Sequence, residues 1–179
     1  MATNIAATNS NEGKIYIDGT KSGGAGKFTA MSVEGNNSEI TNKGLIYVKK
    51  ATAMKENSNT SNSTVTNEGV IVVDDGGLGM VAGSKTPAGN NFVNNGAIYV
   101  ADKDSSGVKL EDGASSNTFT NSGMIDASAG GYAINMQGVT GCNNNTIVLT
   151  GNSHISGKSI LTGTTDLKVK NLTSENEVS

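Results

Sequence analysis

The sequence predicts an all-β fold: a right-handed, single-stranded parallel β-helix of about six rungs, each built of three short strands. Three observations predict it. First, one segment recurs with the same spacing of Asn, Gly and Ile: Asn11-Glu12-Gly13-Lys14-Ile15-Tyr16-Ile17, Asn42-Lys43-Gly44-Leu45-Ile46-Tyr47-Val48, Asn67-Glu68-Gly69-Val70-Ile71-Val72-Val73, Asn94-Asn95-Gly96-Ala97-Ile98-Tyr99-Val100 and Asn121-Ser122-Gly123-Met124-Ile125-Asp126-Ala127. Steps between the glycines are 31, 25, 27 and 27 residues, and a weaker sixth copy, Gly151-Asn152-Ser153-His154-Ile155, follows after 28. Second, each period holds two further short apolar runs divided by turn residues. Third, the 179 residues include 24 Gly, a single Pro and no Trp, with much of the rest Asn, Ser and Thr. Such a mixture disfavours helix and suits strands joined by turns, because Asn and Gly accept positive φ and β-branched side chains fit a pleated surface.

Taken in order, residues 1–10 are polar and read as an incomplete first rung. Residues 11–155 are the regular repeats of one domain spanning 1–179. The first clear strand is Lys14 to Ile17; a Gly/Ser-rich stretch, Gly19 to Lys27, leads to the run Phe28 to Val33, and Ser38-Glu39-Ile40-Thr41 precedes the second Asn-x-Gly. Ala51 to Met54 repeats the second run, a polar loop from Lys55 to Ser63 follows, and Thr64-Val65-Thr66 leads to Asn67. The next periods place Gly79 to Ala82, a loop holding Pro87, and Asn91-Phe92-Val93; then Gly107 to Leu110 and Asn117 to Thr120; then Tyr132 to Met136 and Thr146 to Leu149. Gly157 to Leu161 and Asp166 to Lys170 are also strand-like, but 156–179 reads as an irregular, truncated last rung.

Each strand pairs with its counterpart one period later, so rungs about 4.8 Å apart make a rod of roughly 30 Å. A left-handed helix of hexapeptides demands a shorter and stricter period, and crossover chirality favours the right-handed coil. Alternation turns Ile15, Ile46, Ile71, Ile98 and Ile125 inward, with Ile17, Val48, Val73, Val100 and Ala127; Ile40, Val65, Phe92, Phe119 and Ile147 fill the interior position of the preceding strand. Asn42, Asn67, Asn94 and Asn121 are expected to form a corner ladder, and the Gly two residues on to supply a backbone angle forbidden to side chains.

Bulk properties narrow the function. Net charge is −3, and all 13 basic residues are Lys. Without Arg the chain lacks the forked donor suited to phosphate, and no basic patch points to nucleic acid. Cys142 is the single cysteine, which excludes an internal disulfide framework and a cysteine zinc cluster. No apolar run is long enough to span a bilayer as a helix.

The repeated Asn-x-Gly-x-Ile-x-Val, runs such as Gly131-Tyr132-Ala133-Ile134, and the lead-in Asn117-Thr118-Phe119-Thr120-Asn121-Ser122-Gly123 resemble the passenger domains of Gram-negative autotransporters. The resemblance covers roughly residues 9 to 170. It implies a right-handed β-helix at the cell surface or secreted by the type V route, acting as an adhesin, as a virulence factor, or as a stalk. The partner it implies is a host-cell or bacterial surface protein or glycan. It also implies translocation across the outer membrane by a barrel that these residues do not contain, so the expectation is a processed or excised piece.

Other motifs read as structural. Asp74-Asp75 could supply acid and base to a carbohydrate-active enzyme, the alternative function, but adjacent strand residues face opposite ways and the Gly-His-Gly and Arg-x-Lys that accompany such a pair are missing. Asp102-Lys103-Asp104-Ser105-Ser106-Gly107 matches the first half of a calcium loop, yet position 12 falls on Gly113. Gly23-Gly24-Ala25-Gly26-Lys27 departs from a phosphate loop at both ends. His154, the single histidine, is expected one step above Asp126 as a surface pair. No catalytic residue, cofactor or metal is expected. The candidate binding face is the outward side of the Gly-x-Ile-x-Val strand. Its columns, Lys14, Leu45, Val70, Ala97, Met124 and Tyr16, Tyr47, Val72, Tyr99, Asp126, are unusually apolar for a surface meeting water. Tyr16, Leu45, Tyr47, Val70, Val72, Tyr99 and Met124 are its candidate residues, unless the loops Gly19 to Lys27 or Lys55 to Ser63 fold over them. A self-assembling or ice-binding solenoid is a further alternative, for which Thr is abundant but irregularly placed.

Overall fold

The computed structural model describes residues 6–22, 28–57, 60–83 and 89–170. The Gly23 to Lys27 segment and Pro87 lie outside the described residues. The repeats close into a parallel β-helix of three sheets, each strand hydrogen-bonded to its counterpart one period away. Sheet A stacks Thr8–Asn11, Glu39–Asn42, Thr64–Asn67, Asn91–Asn94, Thr118–Asn121, Asn145–Thr150 and Thr165–Lys170. Sheet B stacks Lys14–Asp18, Leu45–Lys49, Val70–Asp74, Ala97–Val100, Met124–Asp126 and His154–Ser156. Sheet C stacks Thr29–Val33, Thr52–Glu56, Leu78–Ala82, Ser106–Leu110, Tyr132–Asn135 and Lys158–Ile160.

Alternation places the apolar columns inside. Ile46, Ile71, Ile98 and Ile125 are fully buried and stand in register, with Val48, Val73 and Val100 beside them on sheet B. Ile40, Val65, Phe92, Phe119 and Ile147 form the facing column of sheet A, and Met31, Met54 and Met80 stack on sheet C. Each buried aliphatic side chain removed from water contributes about 1.5–3 kcal/mol, so the rod is held by repetition of one modest contact. Ile15 and Ile17 are only half-buried, on the strand that forms the edge of sheet B among the described residues.

Two polar ladders fix the corners around sheet A. At its exit the Asn side chains donate rung to rung: Asn11 Nδ2 to Asn42 Oδ1 at 2.8 Å, Asn42 to Asn67 at 2.8 Å, Asn67 to Asn94 at 2.8 Å, Asn94 to Asn121 at 2.7 Å, and Asn121 Nδ2 to Ser153 Oγ at 2.7 Å. Buried amides therefore satisfy one another with one polarity along the rod. At the sheet's entrance each backbone N–H donates to a side-chain oxygen of the next rung: Ala7 to Ser38, Ser38 to Ser63, Ser63 to Asn90, Asn90 to Asn117 and Asn117 to Asn145. The residue just before these acceptors adopts positive φ at Asn37, Asn62, Gly89, Ser116 and Asn144. Asn tolerates that region better than most side chains, which accounts for its place in these turns.

The glycines of the repeat have a different cause from the one their pattern suggests. Gly44, Gly69, Gly96 and Gly123 do not adopt positive φ. A Cβ at Gly44 would overlap the Gly13 carbonyl oxygen, one at Gly69 that of Gly44, one at Gly96 that of Gly69, and one at Gly123 that of Gly96. What excludes a side chain is the backbone of the rung below. Two backbone N–H groups converge on each of the Asn11, Asn42, Asn67 and Asn94 carbonyls, as Glu68 and Gly69 do on Asn42, and this draws the turns together.

The outward tyrosine face of sheet B

Sheet B carries its outward residues in two columns whose register follows directly from strand pairing. One runs Lys14, Leu45, Val70, Ala97, Met124, His154; the other runs Tyr16, Tyr47, Val72, Tyr99, Asp126, Ser156. None of these residues is buried. Tyr16 is 64% exposed and Tyr99 40%, while Leu45, Tyr47, Val70, Val72 and Met124 are half-buried. The Tyr16 and Tyr47 rings stack at 5.3 Å between centroids with an interplanar angle of 11°.

The described parts of the loops that could fold over this face bond elsewhere. Among the described residues, Ser61 N donates to Asn36 Oδ1, Ser63 Oγ to the Gly35 carbonyl, and Asn57 Nδ2 to Glu34 Oε1, all at the corner between sheets C and A. Lys55 pairs with Glu111 at 2.8 Å on the outer side of sheet C. Gly19 N donates to the Lys49 carbonyl, which keeps that turn at the end of the sheet B strand. The fourth tyrosine, Tyr132, stands on sheet C, where its hydroxyl donates to Gln137 and Lys158 Nζ lies 4.8 Å from its ring centroid.

A charged row borders the tyrosine column, with Asp18, Lys49 and Asp74 in register. Tyr47 donates its hydroxyl to Asp74 Oδ2 at 2.8 Å, Lys49 Nζ lies 3.2 Å from the same oxygen, and Asp75 N donates to Asp74 Oδ1. The Tyr47 hydroxyl, with Lys49 in support, holds the Asp74 carboxyl below its ordinary value. Burial, then the Asp74 carboxylate, raises the Tyr47 phenol. Asp75 turns away at φ 51° and approaches Lys50 at 3.7 Å. The two adjacent acids thus serve different partners and do not converge on a common point.

The remaining motifs fall into turns. Asp102 accepts from Asp104 N and Ser105 Oγ, which ties the half-calcium-like segment into a local turn. Among the described residues no group of three or more His, Cys, Asp or Glu side chains could hold a metal ion. His154 pairs with Met124, not Asp126; Ser156 occupies the place above Asp126 and donates to its Oδ1 at 2.8 Å. The shift arises because Ser153, rather than Gly151, stands over Gly123: sheet A runs on to Thr150, and Gly151-Asn152 lengthen the turn. Ser128 N, then Ser156, lowers the Asp126 carboxyl. On the outer face of sheet A, Thr41, Thr66 and Thr120 share one column and Thr64, Thr118 and Thr146 another, interrupted by Val93, Val148 and Asn91.

No family model, curated protein or solved structure matches this chain.

Proposed function

We propose that the chain is a surface-exposed or secreted β-helical segment of an autotransporter-like adhesin, in which a stiff rod presents one adhesive side and otherwise serves as a stalk. The observation that carries this reading is the open column on sheet B, where Tyr16 and Tyr99 expose large aromatic surface beside half-buried aliphatic residues. Tyrosine combines apolar area with a polar tip at little conformational cost, which suits contact with a sugar or a protein. The laddered core and the close glycine turns support the mechanical half of the proposal, because they hold the outward columns at fixed spacing. The partner is a host-cell or bacterial surface protein or glycan. Asp74, bonded to Tyr47 and Lys49, favours adhesion over hydrolysis, since a general acid or base needs a carboxyl aimed at substrate.

The test is a binding screen of the purified chain against a glycan array and extracellular-matrix proteins, with the Tyr47→Ser/Tyr99→Ser double variant alongside. Binding by the native chain that the double variant loses, with circular dichroism unchanged, supports the adhesive face. Binding that survives in the variant places adhesion elsewhere, and an intact native chain that binds nothing leaves only the stalk.

A further inference from the structure

The tyrosine column is interrupted once, at Val72. Tyr16 and Tyr47 occupy adjacent rungs and stack directly at 5.3 Å. Tyr47 and Tyr99 are two rungs apart, about 9.6 Å at the usual strand spacing, with Val72 between them in register. One flank of this gap is apolar, formed by Leu45, Val70 and Ala97; the other carries Lys49 and Asp74.

Resting on the adhesive reading of this face, we propose that Val72 floors a slot that takes one pyranose ring between Tyr47 and Tyr99. Carbon atoms in contact lie about 3.5–4.0 Å apart, so a flat aromatic guest needs only about 7–8 Å between its walls. A puckered saturated ring is thicker and fills the two-rung gap. Its C–H faces meet the tyrosine rings, and its hydroxyl edge turns toward Lys49, whose ammonium has donors beyond the one directed at Asp74. Tyr16 backs Tyr47 from below, and the Tyr47–Asp74 bond fixes the tilt of the lower wall. A polysaccharide or glycan chain lying along the rod would seat one residue here.

The discriminating variant is Val72→Tyr. It adds an aromatic residue to the face while filling the slot, and the Tyr16–Tyr47 pair establishes that tyrosines on adjacent rungs stack. The probes are methyl β-glucoside, methyl β-galactoside and methyl α-mannoside, read by saturation-transfer NMR and by tyrosine fluorescence, which is free of Trp background in this chain. The expected result is binding of at least one glycoside in the millimolar range, weakened tenfold or more by Val72→Tyr and by Tyr99→Ser. Native-like glycoside binding by Val72→Tyr overturns the slot. So does the absence of glycoside binding by a native chain that adheres in the protein and glycan screen, an outcome that leaves the adhesive face standing. Tighter binding of phenylalanine amide than of any glycoside also overturns it, in favour of an aromatic peptide. A native chain that binds neither glycosides nor any screened surface overturns both readings together.

Discussion

Asn67 donates its amide to Asn94 Oδ1 at 2.8 Å while its own Oδ1 accepts from Asn42 at the same distance. Each ladder member is therefore donor to one neighbour and acceptor to the other, with no exposure to water at Asn42, Asn67, Asn94 or Asn121. A buried polar group left without a partner costs about 1–3 kcal/mol. Asn67→Ala strands the Asn42 donor and the Asn94 acceptor together, and is expected to lower unfolding free energy by roughly 2–4 kcal/mol, read from urea denaturation. An Ala variant at exposed Asn95, the next residue but one from the strand Ala97–Val100, changes stability by less than about 0.5 kcal/mol.

The repeat glycines are predicted to be intolerant for reasons of space. Gly96→Ala drives a Cβ into the Gly69 carbonyl oxygen and is expected to cost about 3 kcal/mol or fail to fold. Gly138→Ala meets no heavy atom nearby and pays only for its positive φ, about 1–2 kcal/mol. Equal losses at the two positions, measured by thermal unfolding, would contradict the close-approach explanation.

Asp74 makes the rod sensitive to acid. Its carboxyl is held below its ordinary value by Tyr47 and Lys49, so the native state favours the ionised form more than the unfolded chain does. The resulting stability is present above about pH 4, the ordinary carboxylate range, and disappears as pH falls through the lower native value. Tyr47→Phe and Asp74→Asn should each flatten the dependence of the urea midpoint on pH below that range. Asp18 and Asp126 are lowered as well, by Thr20 and by Ser128 respectively, and leave a residual slope of the same sign.

The sequence makes sheets A and B legible because one motif marks both: the Asn closes sheet A, and Ile-x-Val fills sheet B. Register at Ile46, Ile71, Ile98 and Ile125 follows from counting between glycines. Counting fails at His154, where Gly151-Asn152 lengthen a turn and the apparent glycine match is not the structural one. The ladder through Ser38, Ser63, Asn90, Asn117 and Asn145 escapes pattern reading because two residue types share a role that depends only on a side-chain oxygen in one place. Its available signal is the positive-φ residue immediately before it, four times Asn or Gly and once Ser. The tyrosine column is readable from alternation, but its openness depends on where the loops bond, and Asn36, Glu34 and Gly35 are too ordinary to announce that.

The central functional claim is that the tyrosine column meets solvent and is free for a partner. Tyrosine nitration of the folded chain, mapped by mass spectrometry, measures this most directly. The structure predicts fastest modification at Tyr16, then Tyr99, with Tyr47 slow beneath its stacking partner and its bond to Asp74. Protection of both Tyr16 and Tyr99 in the folded chain, with reaction only after unfolding, would mean that the face is covered and would contradict the adhesive reading.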